Sequence, residues 1–208
     1  MSLYLVTDRR LSLGRSTVDI VRAAVAGGVT CVQLREKECS TRQFVTEARA
    51  VRELLAGTGI PLIINDRLDV ALAVGADGVH LGQTDMLIAD ARRLVGTDML
   101  IGISAECVDD AVRAQAEGAD YVGISPVFAT PTKTDTAPAL GLDGVALIRA
   151  AVSLPLVGIG GIGPGNATEV IRAGCDGVAV VSAIISAPDP KRAAAELKTI
   201  IRRAKEHP

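Results

Sequence analysis

The sequence predicts an α/β protein, a (β/α)8 or TIM barrel spanning residues 1–208 as a single compact domain. Three observations carry that expectation. Short apolar runs and amphipathic stretches alternate strictly along the chain, the pattern of parallel strands joined by helices. The runs are continuous and rich in Val, Ile and Leu, as strands covered on both faces should be. The polar residues collect at one end of these strands, the end at which barrels place their chemistry.

Each element has its own local cause. Strands are expected near 3–6, 30–34, 61–64, 77–81, 99–103, 120–124, 155–159 and 176–181. Helices fill the gaps near 17–26, 41–56, 67–74, 87–95, 107–116, 143–151, 164–173 and 190–205. One pattern recurs four times: Gly28-Val-Thr-Cys-Val32, Gly75-Ala-Asp-Gly-Val79, Gly118-Ala-Asp-Tyr-Val122 and Gly174-Cys-Asp-Gly-Val178. Each copy follows an Ala-rich stretch and leads into a β-branched run, which reads as a helix C-cap glycine, a tight turn and a strand. The intervals of 47, 43 and 56 residues are too long for one β/α unit. The runs 61–64, 99–103 and 155–159, with 3–6 at the start, bring the strand count to eight.

The competing architecture is an open doubly wound sheet, suggested by the G-x-G-x-x-G of Gly158–Gly163. A dinucleotide site wants an acid at the end of the next strand. Asp176 precedes that strand instead, and too little chain remains for the rest of such a fold.

Composition excludes several function classes. Hydrophobic residues make up 49 % and aromatics 2 %, with no Trp, so the core is aliphatic and stacking platforms for single-stranded nucleic acid are lacking. A net charge of −2 without a basic stripe argues against duplex binding. No signal-peptide pattern opens the chain and no apolar run reaches membrane length. Cys31, Cys39, Cys107 and Cys175 are dispersed and form no CxxC pair, so the expectation is a cytoplasmic protein with reduced thiols and no zinc.

The strand ends supply the candidate residues. The first strand leads to Thr7, Asp8 and Arg9, the second to Gln33, Arg35, Glu36 and Lys37, and the third to Asn65 and Asp66. His80, Gln83 and Asp85 follow the fourth, Ser104 the fifth, and Ser125, Thr130, Thr132 and Lys133 the sixth. The last two strands end in Gly160-Gly161 and Val181-Ser182, where exposed backbone N–H groups suit phosphate. Asp66 and Asp85 are a plausible Mg²⁺ pair, because that ion accepts one or two carboxylates and completes its shell with water and phosphate oxygens. Arg35, Lys37 and Lys133 beside them point to a polyanion, most simply a pyrophosphate. His80 reads as a structural residue at a strand end. The polar segment 129–139, with two prolines, reads as a lid that brings Lys133 to the site.

The motifs YLVTD at 4–8, VQLREK at 32–37, IINDR at 63–67, GVHLGQTD at 78–85, IGIS at 101–104, ADYVGISPVFATPTK at 119–133 and VGIGGI at 157–162 together resemble thiamine phosphate synthases, over essentially the whole chain. The resemblance implies a transferase of thiamine biosynthesis. It would condense a hydroxymethylpyrimidine diphosphate with a thiazole phosphate, or its carboxylated form with loss of CO₂, by a dissociative displacement aided by Mg²⁺. It also implies roles by position. Gln33, Arg35, Glu36, Lys37, Asn65, Ser104 and Lys133 would bind the pyrimidine diphosphate, with Lys133, Ser104 and Lys37 closest to the chemistry. Asp66 and Asp85 would hold the metal, and Thr130, Pro131, Thr132, Gly161, Val181 and Ser182 the thiazole phosphate. Ser125 departs from the glycine that often precedes the proline in this family. The alternatives are a thiazole tautomerase-like enzyme and a non-catalytic phosphate-ligand-binding regulator on the same barrel. Partners are small-molecule substrates, with neither nucleic acid nor membrane; oligomeric state is not legible.

Overall fold

The computed structural model describes residues 1–130 and 138–206. These form eight strands, β1 (Leu3–Val6), β2 (Cys31–Leu34), β3 (Leu62–Asn65), β4 (Gly78–Leu81), β5 (Leu100–Ala105), β6 (Tyr121–Ile124), β7 (Leu156–Ile159) and β8 (Gly177–Val180). All pair in parallel, and β8 returns to β1 to close the barrel in sequential order. Closure excludes the open doubly wound sheet, because no edge is left at which a strand order could reverse.

The helices are α1 (Thr17–Ala26), α2 (Thr41–Leu55), α3 (Leu68–Val74), α4 (Ile88–Val95), α5 (Val108–Ala116), α6 (Gly141–Ala151), α7 (Ala167–Arg172), α8 (Ser182–Ile185) and α9 (Pro190–Glu206). Polar caps start two of the longer ones. Ser16 accepts from the Asp19 N–H before α1, and Ser40 with Gln43 forms a capping box before α2. The sequence reading lacks the one-turn helix α8 and a 3-10 turn at Arg9–Leu11. Both are shorter than the periodicity that reveals a helix.

The fourfold repeat has a mechanical meaning. Asp77, just before β4, donates its N–H to the Leu62 carbonyl (2.9 Å), and its Oδ2 accepts the Leu62 N–H (2.8 Å). Asp120 clasps Ile101 in the same two-point manner (2.8 and 2.7 Å), and Asp176 clasps Leu156 (2.8 and 2.8 Å). Thr30 does the same to Leu3, through its N–H at 2.8 Å and its Oγ1 at 3.1 Å. Every even strand thus holds the start of the odd strand before it, so the repeat marks pairs of β/α units. Asp120→Ala leaves the Ile101 N–H without this acceptor and is expected to lower stability by about 1–2 kcal/mol in urea unfolding. An unchanged midpoint would count against the clasp.

Side-chain alternation then sorts the strands into two layers. Leu3, Leu5, Leu62, Ile64 and Ile101 pack outward under the helices. Tyr4, Val6, Cys31, Ile63, Tyr121, Val157 and Ala179 fill the interior. The inward set continues upward through Gln33, Asn65, His80 and Ser104, so the period of two decides which residues reach the mouth.

Candidate active site

A cavity of about 690 Å³ opens at the C-terminal end of the strands. Gln33, Arg35, Lys37, Asn65, Asp66, Asp85, Ser104, Thr130, Gly161, Val181 and Ser182 all line it. The volume suits one or two small ligands. Pro131, Thr132 and Lys133, and with them most of the expected lid, lie outside the described residues.

Local structure aims each group. The Arg35 N–H donates to Thr7 Oγ1 and its guanidinium to Asp8 Oδ2, both at 2.9 Å, so the buried end of β1 holds the Arg35 side chain at the mouth. Lys37 Nζ meets Asp66 Oδ2 at 2.5 Å. Asp66 is one of two described non-glycine residues with positive φ, at 62°. That left-handed turn, which aspartate tolerates better than most residues, ends β3 while the Asp66 N–H donates to the His80 carbonyl at 2.8 Å. Asp85 Oδ2 accepts the Gly82 N–H at 2.7 Å.

The two carboxylates sense each other. Burial pushes the Asp85 carboxyl up, and the Asp66 carboxylate pushes it further, against the pull of the Gly82 N–H and Lys37. A divalent cation between them would relieve that repulsion. Among the described residues no third His, Cys, Asp or Glu joins them in a metal-ligating group. Two carboxylate oxygens with water and diphosphate oxygens are nevertheless a donor set that Mg²⁺ accepts, so the residues fit this ion.

At the far side, Gly160 and Gly161 have φ of 101° and 63°. A Cβ on Gly161 would lie 2.7 Å from the Ala129 carbonyl oxygen and 2.8 Å from Phe128 Cβ, so glycine lets this loop press on the segment after β6. Asn166 ties the same loop, accepting from the Gly163 N–H and donating to the Gly161 carbonyl, both at 2.9 Å. Val181 and Ser182 begin α8, and the first N–H groups of a helix have no intrahelical acceptor.

One expected ligand faces elsewhere. Glu36 does not line the cavity; its side chain, 4 % exposed, turns to the Arg9 guanidinium at 3.2 Å, which also binds Glu47 at 2.7 Å. Its Oε1 has no hydrogen-bond partner among the described residues, and burial, together with Glu47, pushes the carboxyl up against the pull of Arg9. Alternation explains the difference: Arg35 keeps the inward parity of Cys31 and Gln33, and Glu36 takes the outward one.

In the cavity floor, sequence reasoning passed over Tyr4 and Tyr121 and read His80 as a structural residue. Tyr4, Tyr121 and His80 line it and are hydrogen-bonded to one another. A usable signal existed, since the chain has two tyrosines and both occupy inward positions.

This constellation can be compared with known proteins. The family model described as thiamine monophosphate synthase matches residues 3–184. The chain belongs to that family. A thiamine-phosphate synthase of Albidiferax ferrireducens is 56 % identical over 201 residues, covering 97 % of this chain and 92 % of that one. One from Chloroflexus aurantiacus is 54 % identical over 199 residues, covering 96 % and 92 %. Among solved structures, a thiamine phosphate pyrophosphorylase from Pyrococcus furiosus superposes with a TM-score of 0.91 at 40 % identity, covering 98 % of this chain and 96 % of that one. A 3-hexulose-6-phosphate synthase, at 18 % identity and TM-score 0.73, shares the fold alone. The family relationship covers the strand ends that build the cavity. No helix among the described residues is long and apolar enough to cross a membrane.

Proposed function

We propose that this member of the family joins a 4-aminopyrimidine, carried as its methyl diphosphate, to the ring nitrogen of a thiazole phosphate, giving thiamine phosphate and pyrophosphate. A carboxylated thiazole would also release CO₂. The observation that carries the reading is one cavity holding a carboxylate pair and two cations on one side and a glycine loop and helix start on the other.

The bond between the pyrimidine methylene and the diphosphate oxygen breaks, and its electron pair leaves with pyrophosphate. The ring amino group stabilises the cation left behind, and the thiazole nitrogen supplies the pair for the new C–N bond. Asp66 and Asp85 would hold Mg²⁺, which supplies charge neutralisation for the departing diphosphate. Arg35 and Lys37 would meet the same oxygens, with their heads oriented by Asp8 and Asp66. Gln33, Asn65 and Ser104 would seat the pyrimidine. The N–H groups around Gly161 and Ser182 would anchor the thiazole phosphate and align its nitrogen. Lys133, with Thr130 to Thr132, would complete the site from the segment after β6.

The test is a discontinuous assay of purified protein with both substrates, with Mg²⁺ and with excess EDTA. Thiamine phosphate and pyrophosphate are expected in equal amounts, and only with the metal. No product with Mg²⁺ would sink the reading, and full activity in EDTA would remove the metal from it.

A further inference from the structure

A hydrogen-bonded chain runs through the barrel interior under the cavity. Gln33 Nε2 donates to Tyr4 Oη at 2.9 Å. Tyr4 Oη and Tyr121 Oη are 2.9 Å apart. Tyr121 Oη lies 3.0 Å from His80 Nδ1, and His80 Nε2 lies 3.0 Å from Ser104 Oγ. Five side chains from β1, β2, β4, β5 and β6 take part, and both tyrosines are 1 % exposed.

With Gln33 donating through its amide nitrogen, one consistent set of directions runs the length of the chain. The Gln33 amide nitrogen cannot accept, so the Tyr4 proton has Tyr121 as its acceptor among these contacts. Tyr121 then receives from Tyr4 and gives its own proton to His80 Nδ1. In the neutral form of His80 this arrangement places the ring proton on Nε2, facing Ser104. Ser104 accepts from below and can turn its own hydroxyl proton toward the ligand. At the other end, Gln33 has committed an N–H to Tyr4, which leaves its carbonyl oxygen as the end that accepts from a ligand. Burial raises both phenol pKa values well above the usual, so each tyrosine stays a neutral donor.

The packing around the chain is built for it. A Cβ on Gly102 would lie 2.1 Å from Tyr121 Cζ, and one on Gly123 would lie 3.0 Å from His80 Cε1. Both glycines sit at inward positions of the wall, beside each other's neighbours in register. They clear the space the two rings occupy.

We infer that Tyr4, Tyr121 and His80 are positioning residues that lock the polarity of the cavity floor, a donor at Ser104 and an acceptor at Gln33, and thereby select an amino-bearing pyrimidine over its oxo counterpart. The inference rests on the proposed function for the identity of the ligand. A 4-aminopyrimidine offers a ring-nitrogen acceptor beside an N–H donor, which matches this polarity. The 4-oxo compound offers a ring N–H beside a carbonyl and opposes it at both points. The lock matters because serine alone donates or accepts with equal ease, and an unrestrained histidine exchanges tautomers. A site whose buried polar groups are left mismatched rejects a ligand by several orders of magnitude.

The experiment measures Kd for the amino and the oxo pyrimidine diphosphates by calorimetry, with Mg²⁺ and without the thiazole, so that intrinsic reactivity does not enter. Wild-type protein is expected to prefer the amino compound by roughly 10³-fold. In Tyr121→Phe the preference should collapse to within about tenfold, while inorganic pyrophosphate binds within about threefold of wild type. An unchanged preference in a folded Tyr121→Phe overturns the inference, since a merely structural role would weaken both compounds alike. A wild type that makes thiamine phosphate yet shows no preference overturns it as well and leaves the proposed function standing. A wild type that binds neither compound overturns the proposed function itself. Should Tyr121→Phe fail to fold, ¹⁵N-histidine NMR of the wild-type protein decides. His80 and His207 are its two histidines, and His207→Gln assigns them. A protonated Nε2 on His80 is expected; a protonated Nδ1 overturns the inference.

Discussion

Asp66→Asn is expected to lower kcat/KM on the order of 10³-fold while the melting temperature moves by no more than a few degrees. The size of the loss reflects two effects at one atom. The variant removes half of the carboxylate charge available to a divalent cation, and it takes the anionic partner from Lys37, now 2.5 Å from Asp66 Oδ2. Asparagine is the informative replacement because Asp66 sits at φ 62°, a conformation asparagine adopts as readily. Asp66→Ala should lose the same activity and, in addition, about 1 kcal/mol of stability for holding a Cβ residue in the left-handed region without the side-chain polarity that favours it. Relief of repulsion toward Asp85 works in the opposite direction in both variants. Steady-state kinetics over a Mg²⁺ series, paired with thermal melts, separates these contributions. Near-normal turnover of Asp66→Asn at saturating Mg²⁺ would show that this carboxylate has another role.

Gly102→Ala is expected to be among the most damaging single methyls in the barrel wall. The added Cβ would lie 2.1 Å from Tyr121 Cζ and 2.4 Å from its Oη, far inside contact distance. The ring has no room to retreat, because it is fully buried and its hydroxyl is held by Tyr4 and His80. Overpacking of this kind costs about 3 kcal/mol. For a chain of this length that corresponds to roughly 6–12 °C in melting temperature. Ligand binding should fall with it, since Tyr121 forms part of the cavity floor. Gly165→Ala is the control: nothing lies within 4 Å of its added Cβ, and stability should change by less than about 0.5 kcal/mol. A Gly102→Ala variant that melts like the wild type would mean that the wall yields where the packing says it cannot.

These two positions divide what was legible from what was not. IINDR announced Asn65 and Asp66, because polar residues directly after an apolar strand have few uses other than a site. Nothing in that stretch announced that Asp66 turns through positive φ or meets Lys37. The sequence spacing of Asp66 and Asp85 carries no distance, and only the in-register pairing of β3 with β4 brings the loops after them together. Glu36 shows the converse. It stands between two cavity residues in the chain, yet one step in a strand-like extension reverses the side chain and delivers it to Arg9.

By itself the sequence determined the element order, the parallel sheet and the end at which chemistry collects. Those follow from hydrophobic period and turn chemistry, which act over a few residues and are written in adjacent letters. The recurring Gly-x-Asp signature was visible too, although its function as a clasp between strand starts was not. The tertiary structure alone decided which residues face one another across the barrel. Hydrogen-bond partners such as Tyr4 and Tyr121 lie 117 positions apart, and their meeting depends on register, twist and the two glycines that make room. Polarity of the cavity floor is a property of that meeting, because a hydroxyl or an imidazole has no fixed direction until its neighbours assign one.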